Sequence, residues 1–163
     1  MDLSIGALLV ANYYWSTLSL WVGHWFSHLA KSPLAGFHVG GHHAIYPDSR
    51  HMRTEAFRYG RGRSSSLFSL LPGLVLQTLL QGLIFSPWAW LLCAVETALV
   101  AAALSRLHIE FHLIDSKLER FRWFRRARRR HETHHDRDLN YMVGDHFWDR
   151  RFRTFTGSAW PTR

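Results

Sequence analysis

Three long apolar segments limit the folds open to this chain. They cover residues 3–26, 67–85 and 88–107, whereas all 20 Lys and Arg residues fall within 31–63 and 106–163. A helix of ~20 apolar residues can cross the ~30 Å hydrocarbon core of a bilayer. We therefore predict an all-α integral membrane helical bundle with about three transmembrane spans, built as a single domain over 1–163.

A soluble bundle of three buried helices is the alternative to this prediction. It is disfavoured because the three segments lack the polar stripe of an amphipathic surface helix. No basic region precedes the first segment, so we expect a retained span rather than a cleaved signal peptide. The single cysteine, Cys93, also excludes an intrachain disulfide framework and a cysteine-based metal cage.

The distribution of charge predicts the orientation of the spans. Ser86-Pro87 suits the start of a helix and a tight turn between the second and third spans. The positive-inside rule then places 31–63 and 106–163 in the cytoplasm, with Met1 and the Ser86-Pro87 turn on the other side. We predict a multi-pass membrane protein whose active site lies on the cytoplasmic face. The bacterial inner membrane is favoured over the endoplasmic reticulum.

Seven Arg residues alternate with aromatic side chains in the segment RFRWFRRARRR, residues 120–130. Such a composition also occurs in proteins that bind nucleic acid. Because the segment follows a predicted span closely, anionic lipid headgroups explain the arginines better, and the aromatic rings suit the membrane interface. We predict no nucleic acid partner.

Histidine clusters follow the predicted spans. Ten of the 12 His residues fall in four clusters: His24 and His28; His38, His42 and His43; His108 and His112; His131, His134 and His135. Each cluster contains an i, i+4 pair, a spacing that brings two imidazoles to one face of a helix. In the second cluster Gly40 and Gly41 make a continuous helix doubtful.

These ten imidazoles exceed the coordination capacity of one metal ion, so we predict two ions with all ten as ligands. Polar groups beside apolar spans are costly unless they have partners. Neutral imidazole suits iron, zinc, copper and nickel, and the residues alone do not choose among these metals. We predict satisfied structural roles for His51 and His146 and no separate cofactor-binding residues, and the sequence identifies no catalytic residue beyond the metal centre.

The segment His131-Glu132-Thr133-His134-His135 also matches the H-E-x-x-H pattern of zinc proteases, in which the Glu is the general base. A zinc-dependent membrane metalloprotease is therefore a more distant alternative. It leaves His134 and the other seven clustered histidines unexplained.

The combined motifs resemble the fatty acid hydroxylase/sterol desaturase superfamily. In chain order, the motifs are HxxxH, a box ending in HH, a hairpin of spans, a second HxxxH, HxxHH, and a tail with NY and WDR elements (residues 140–152). The stretch HHAIYPDSR, residues 42–50, is similar to fatty acid 2-hydroxylases. The resemblance covers roughly 24–155. It implies an integral membrane oxidoreductase with two metal ions that uses O2 to oxidise C–H bonds of lipids.

What the resemblance implies is a membrane-bound di-iron lipid hydroxylase acting on an acyl chain or a similar lipid. Oxygen activation requires a redox metal, so two iron ions are expected, although zinc can substitute in a purified sample. A sterol or lipid desaturase and a carotenoid hydroxylase of the same superfamily remain open. This chain departs from many members in having three spans rather than four. Its second box reads HxxxHH, which makes His38 the least certain ligand.

The chain carries no sequence motif for a bound reductant. We therefore expect electrons from a separate protein, a ferredoxin or a cytochrome b5 with its reductase, which is acidic and docks on the arginine-rich face. A polar pair within the spans also carries a prediction. Gln77 and Glu96 lie nine residues either side of the Ser86-Pro87 turn, so we expect a hydrogen bond between them.

Overall fold

The computed structural model describes residues 4–58 and 66–157, and its regular structure is helical. No β-strand occurs in these two ranges, which confirms the all-α prediction. The six α-helices are α1 Ile5–His28, α2 Ala35–Phe37, α3 Ser66–Ile84, α4 Pro87–Phe111, α5 Arg122–Asp136 and α6 Phe147–Arg151. A π-helical segment, His38–His43, continues α2, and a 3₁₀ turn, Lys117–Arg120, precedes α5.

The three long helices α1, α3 and α4 pack on one another. The Ser4 hydroxyl caps α1 by accepting a hydrogen bond from the Ala7 amide, and Pro87 occupies the first turn of α4. The two-residue connection between α3 and α4 makes them antiparallel neighbours. Gly73 allows α3 to approach α1 closely, because a Cβ there would lie 3.2 Å from the Ser19 carbonyl oxygen.

This three-helix bundle is polar inside and apolar outside. Asn12, Gln77 and Gln81 are buried at its centre, whereas Leu83 of α3 is 84% exposed and Leu99 of α4 is 65% exposed. By length and composition, α4 alone among the described helices could cross a membrane, and the apolar stretch Leu70–Ile84 in α3 is shorter. An apolar cluster of Leu20, Leu74 and Ala101 is buried in the same bundle.

Asn12 is the centre of the buried polar network, and its position corrects one prediction. Its amide donates to Glu96 Oε2 at 2.8 Å, and its Oδ1 accepts from the Gln81 amide at 2.6 Å. The Gln77 amide instead donates to Ser16 at 3.0 Å. The expected Gln77–Glu96 hydrogen bond is therefore wrong. An asparagine from α1 lies between the two helices and takes the carboxylate.

Helix α5 is fixed across the end of α4. Phe124 stacks near Phe111 with ring centroids 5.3 Å apart, and both side chains are fully buried. Arg128, which is 1% exposed, donates from Nη2 to the carbonyls of Glu110 and Leu113 at 3.0 Å each. These carbonyls follow the last turn of α4, so the buried guanidinium satisfies helix-end acceptors. Contacts of both kinds hold α5 against α4.

Asp149 ties the C-terminal region to α1. Its buried carboxylate accepts hydrogen bonds from Trp21 Nε1 at 3.0 Å and from the Tyr141 and Met142 amides at 2.9 and 3.0 Å. Burial alone raises the pKa of Asp149, but hydrogen bonds from His146, Met142 and Thr154 outweigh burial and hold this pKa below its usual value. The result is a fixed position for Tyr141 beside α1.

The second histidine box is helical despite its two glycines. Residues His38–His43 form a π-helix, so Gly40 and Gly41 do not interrupt the helix as the sequence suggested. The wider turn of a π-helix occurs mostly as single turns at functional sites. Here it carries three histidines towards the ends of α1 and α4.

Candidate metal centre

Five buried histidines form the first group of converging imidazoles. It comprises His42, His108, His112, His131 and His135, and each offers one ring nitrogen within 4.8 Å of the others. The π-helical segment supplies one member, the C-terminal end of α4 supplies two, and α5 supplies two. The arrangement is compatible with a metal site. We refer to it as the five-histidine group.

Four further histidines form a second group beside the first. His24, His28, His38 and His134 also place one nitrogen each within 4.8 Å of one another, and we refer to them as the four-histidine group. His43 lies between the two groups. Its Nε2 is 3.2 Å from His134 Nε2, and its ring stacks on His135 with centroids 4.3 Å apart. All ten histidines predicted as ligands are thus brought together.

Each group draws on both halves of the chain. His42, from the N-terminal half, lies in the five-histidine group with members from α4 and α5. His134, from the C-terminal half, lies in the four-histidine group with members from α1 and the π-helical segment. The apparent repeat in the sequence, five histidines per half, is therefore not a repeat of two separate sites.

The spacing between ring nitrogens is that of metal ligands. His131 Nε2 lies 3.1 Å from His112 Nε2 and 3.2 Å from His135 Nε2, and His24 Nε2 lies 2.8 Å from His38 Nε2. Around an ion held at about 2.1 Å, neighbouring ligand nitrogens are about 3.0–3.4 Å apart. One proton on His131 Nε2 can satisfy only one of its two neighbours, whereas a cation can accept lone pairs from all of them.

Backbone carbonyls fix which nitrogen of several rings faces the group. His112, His135 and His134 donate from Nδ1 to the carbonyls of Met52, Tyr46 and Leu139 at 2.8, 2.6 and 3.0 Å. His24 donates in the same way to the Tyr141 carbonyl. Because a carbonyl can only accept, Nδ1 carries the proton and Nε2 keeps a free lone pair. Outer partners of this kind orient metal-binding histidines.

A carboxylate plays the same role for His28. Its Nδ1 lies 2.9 Å from Asp138 Oδ1, and its Nε2 is buried without a hydrogen-bond partner. His42 Nε2 is likewise buried and unpaired. A buried acceptor without a partner is costly. A cation bound in each group would satisfy the nitrogen in that group, so the residues present fit metal ions.

The environment keeps these imidazoles neutral. Burial, reinforced by the neighbouring histidines, lowers the pKa of His42, His131 and His134 well below the ordinary value. Burial lowers the pKa of His43 to about 2 and that of His112 to about 4. Metal binding requires deprotonated ligands, and here the protein itself removes the competing protons at neutral pH.

Three residues singled out by the sequence lie outside both groups. His51 is exposed and bonds Asp48 at 2.9 Å, and His146 is buried and bonds Asp149 at 2.8 Å. Glu132, the general base of the metalloprotease alternative, accepts a hydrogen bond from Arg53 Nη2 at 2.6 Å. Its carboxylate belongs to neither group.

A small apolar cavity adjoins the histidines on the side of the bundle. Leu20, Leu104 and Ala101 line it together with His24 and His108. The cavity therefore gives the histidines an apolar neighbour.

The outer partners of the histidines were not predicted from the sequence. The carbonyls of Tyr46, Met52 and Tyr141 have no signature in the side-chain pattern, because every residue has a carbonyl. Asp138 and Asp149 are visible as acidic residues near the last box, and their charge was the signal that could have found them. Arg128 was counted with the basic surface, yet it is buried.

The fold and this site can be set against known proteins. No protein-family model, no curated protein and no solved structure matches the chain.

Proposed function

We propose that this protein is a membrane-bound, di-iron, O2-dependent hydroxylase that acts on the acyl chain of a lipid. The observation that carries the proposal is the convergence of ten histidines in two adjacent groups, with lone pairs of several rings aimed inward. We take the five-histidine group as one iron site and the four-histidine group as the other, with His43 shared between them. The resemblance of the four boxes to fatty acid hydroxylases and sterol desaturases adds to this assignment.

The exposed apolar side chains of the three-helix bundle support a membrane location. In a soluble protein the exposed Leu79, Leu83 and Leu99 would form a large apolar surface facing water, which monomeric proteins avoid. In a bilayer the same side chains face lipid, and the buried Gln77 and Gln81 amides both donate to Asn12 Oδ1 across the helices, at 3.4 and 2.6 Å. We propose three spans, α1, α3 and α4, with α5 and the remaining segments as a cytoplasmic cap.

Different residues of the chain have different roles in the proposed reaction. Iron, when bound, supplies the redox chemistry that activates O2 and abstracts hydrogen from an unactivated C–H bond. The histidines hold the metals, and the carbonyls of Met52, Tyr46 and Tyr141 hold their Nδ1 protons away from the site. The apolar cavity at Leu20 and Leu104 lies against His24 and His108 and offers an apolar surface to a hydrocarbon.

Reducing electrons must come from outside the chain. Arg122, Arg126 and Arg129 lie on one exposed face of α5 at i, i+4 and i+7. No hydrogen bond or ion pair joins any of these three guanidinium groups to another described residue. We propose that this face docks an acidic electron donor of the ferredoxin or cytochrome b5 type.

Metal content and product analysis test the proposal together. The full chain, purified with iron supplied, should contain two irons, and cells expressing it under 18O2 should accumulate lipids that carry one 18O atom per new hydroxyl. Retention of one zinc without oxidised lipids would favour the hydrolase alternative. Lipids that gain a double bond and no 18O would move the assignment to a desaturase of the same superfamily.

A further inference from the structure

A long groove runs along the outside of the bundle between α3 and α4. It has a volume of about 610 Å³. From α4 it is lined by small side chains on one helical face: Ala94, Ala98, Ala102 and Ser105. From α3 it is lined by larger apolar side chains such as Val75 and Leu79, which are 54% and 65% exposed. The small residues leave space that the α3 side chains do not fill.

The groove and the small cavity beside the histidines share a wall. Ala101 and Ser105 line both spaces. On the inner side of this wall the cavity is lined by His24, His38 and His108, which belong to the two histidine groups. His38 Nδ1 is buried and has no hydrogen-bond partner. A molecule lying in the groove is therefore separated from the histidines by a single layer of small side chains.

One end of the groove is basic and the rest is apolar. Arg106 is the one charged side chain among the described residues that line the groove. It also lines the neighbouring groove that contains Ala103 and Glu110, and its Nη2 donates to Glu110 Oε1 at 2.6 Å. A second carboxylate can therefore pair with the remaining edge of this planar, five-donor group. From Arg106 to Ala94 the groove follows α4 for about 18 Å, at 1.5 Å per residue. This distance exceeds one leaflet of the hydrocarbon core, about 15 Å.

We propose that the groove between α3 and α4 binds one fatty acid molecule, with its carboxylate at Arg106 and its chain along Ala102, Ala98 and Ala94. We commit to a fatty acid because Arg106 is the one charged side chain among the described residues that line the groove, and one carboxylate matches the edge of one guanidinium. The wall at Ala101 and Ser105 is where the bound chain comes closest to the histidines. The inference rests on the proposed function, because it takes the outside of the bundle to be lipid-facing.

A photoreactive fatty acid tests this site in the full-length protein. The probe is a long-chain fatty acid with a diazirine at its methyl end, added to the detergent-purified protein in the presence of a chelator. Cross-linked peptides should map to α3 and to the first half of α4. Ala102→Leu should lower labelling about tenfold, because the larger side chain occupies space proposed for the bound chain; this change corresponds to about 1.4 kcal/mol.

The neighbouring alanine is a matched control. Ala103 is exposed on α4 like Ala102, but it lines a different groove, with Leu107 and Trp123. Ala103→Leu should leave labelling unchanged. Arg106→Gln should abolish the preference for the fatty acid over the corresponding fatty alcohol probe, whereas Lys117→Gln, in the same neighbouring groove as Ala103, should keep it.

Three results would overturn the proposal. They are equal labelling of Ala102→Leu and wild type, cross-links confined to other helices, and a dimer that joins two chains through Ala98 and Ala102 and excludes the probe. The last result would assign the groove to a second copy. Because the assay uses metal-free protein, normal labelling without iron binding or lipid oxidation would refute the oxygenase and leave the groove intact. Lipid oxidation with unchanged labelling of Ala102→Leu would refute the groove proposal and leave the oxygenase proposal intact.

Discussion

His131 and His134 lie within one turn of α5, yet they belong to different histidine groups. His131 joins His112 and His135 in the five-histidine group, with Nε2 atoms 3.1 and 3.2 Å away. His134 joins the four-histidine group, where its ring lies 4.5 Å from that of His24. The three histidines of the last box therefore connect the two groups, and α5 presents them from one face.

Replacing single histidines of this box should separate the two metal sites. His134→Ala should lower the metal bound by the four-histidine group and His131→Ala that of the five-histidine group, and both should abolish lipid oxidation. Glu132→Ala should keep both ions and most activity, since Glu132 pairs with Arg53 and an iron oxygenase needs no general base to split water. Metal per chain and product are measured for each variant. A metallated but inactive Glu132→Ala beside an active His134→Ala would exclude the hydroxylase and favour a protease.

The orientation of the bundle can be tested with fused reporters. A reporter that works only in the cytoplasm should be active after Arg163 and inactive when inserted at Ser86, because the basic segments are expected on the cytoplasmic side. A periplasmic reporter should give the reverse pattern at the same two positions. Equal signals at both positions would contradict a bundle that crosses the membrane three times.

Asp149 should be a major contributor to stability. Its carboxylate accepts hydrogen bonds from α1 and from residues 141–154, so Asp149→Ala leaves Trp21 Nε1 and two backbone amides without their acceptor. We expect a loss of about 3–5 kcal/mol in the free energy of unfolding, measured by denaturation in detergent. Asp145→Ala is the comparison on the same segment, and its loss should be smaller because that carboxylate is only partly buried. Equal losses would contradict a special role for Asp149.

The metal-free protein should lose stability in mild acid. Burial lowers the pKa of His112 to about 4 and that of His43 to about 2, whereas both titrate near 6.5 when the chain is unfolded. Below about pH 6.5 the unfolded state binds more protons, so the free energy of unfolding falls with pH. The fall approaches ~1.4 kcal/mol per pH unit for each such histidine. It continues until the folded pKa is reached, near pH 4 for His112.

A variant checks the source of this acid sensitivity. His112→Gln, measured with a chelator between about pH 7 and pH 4, should show a shallower fall than wild type, because one titrating group has been removed. Parallel curves for the two proteins would show that His112 is not responsible.

The helices were predictable from the sequence because apolar length and turn chemistry are local properties. The third apolar segment, 88–107, matches α4 except at its end, where the helix continues to Phe111 and includes His108. The i, i+4 pairs of α1 and α5 were also readable, because helix periodicity sets which residues share a face. The metal-binding role of the ten histidines stays a prediction.

The partition of the histidines was not predictable in the same way. Spacing identifies the face of one helix but not the element that lies opposite, so nothing local assigns His42 to the group of α4 and α5. The π-helical segment contacts α1, α2 and α3, and these tertiary contacts cannot be derived from the local Gly40-Gly41 pair, which suggested a break. Asn12 in α1 bonds Glu96, the partner expected for Gln77. The turn between α3 and α4 aligns these two helices in depth, but nothing in the sequence aligns α1 with them.

His42 and His134 each belong to the group built mainly from the other half of the chain, and this arrangement has a consequence for the order of assembly. A ribosome releases the chain from its N-terminus, so the first three boxes are made before α5. Each group includes at least one imidazole from α5, whether His131 and His135 or His134. If the groups bind metal as proposed, complete loading must wait until α5 has been made, and a chain truncated before residue 131 would lack ligands in both groups.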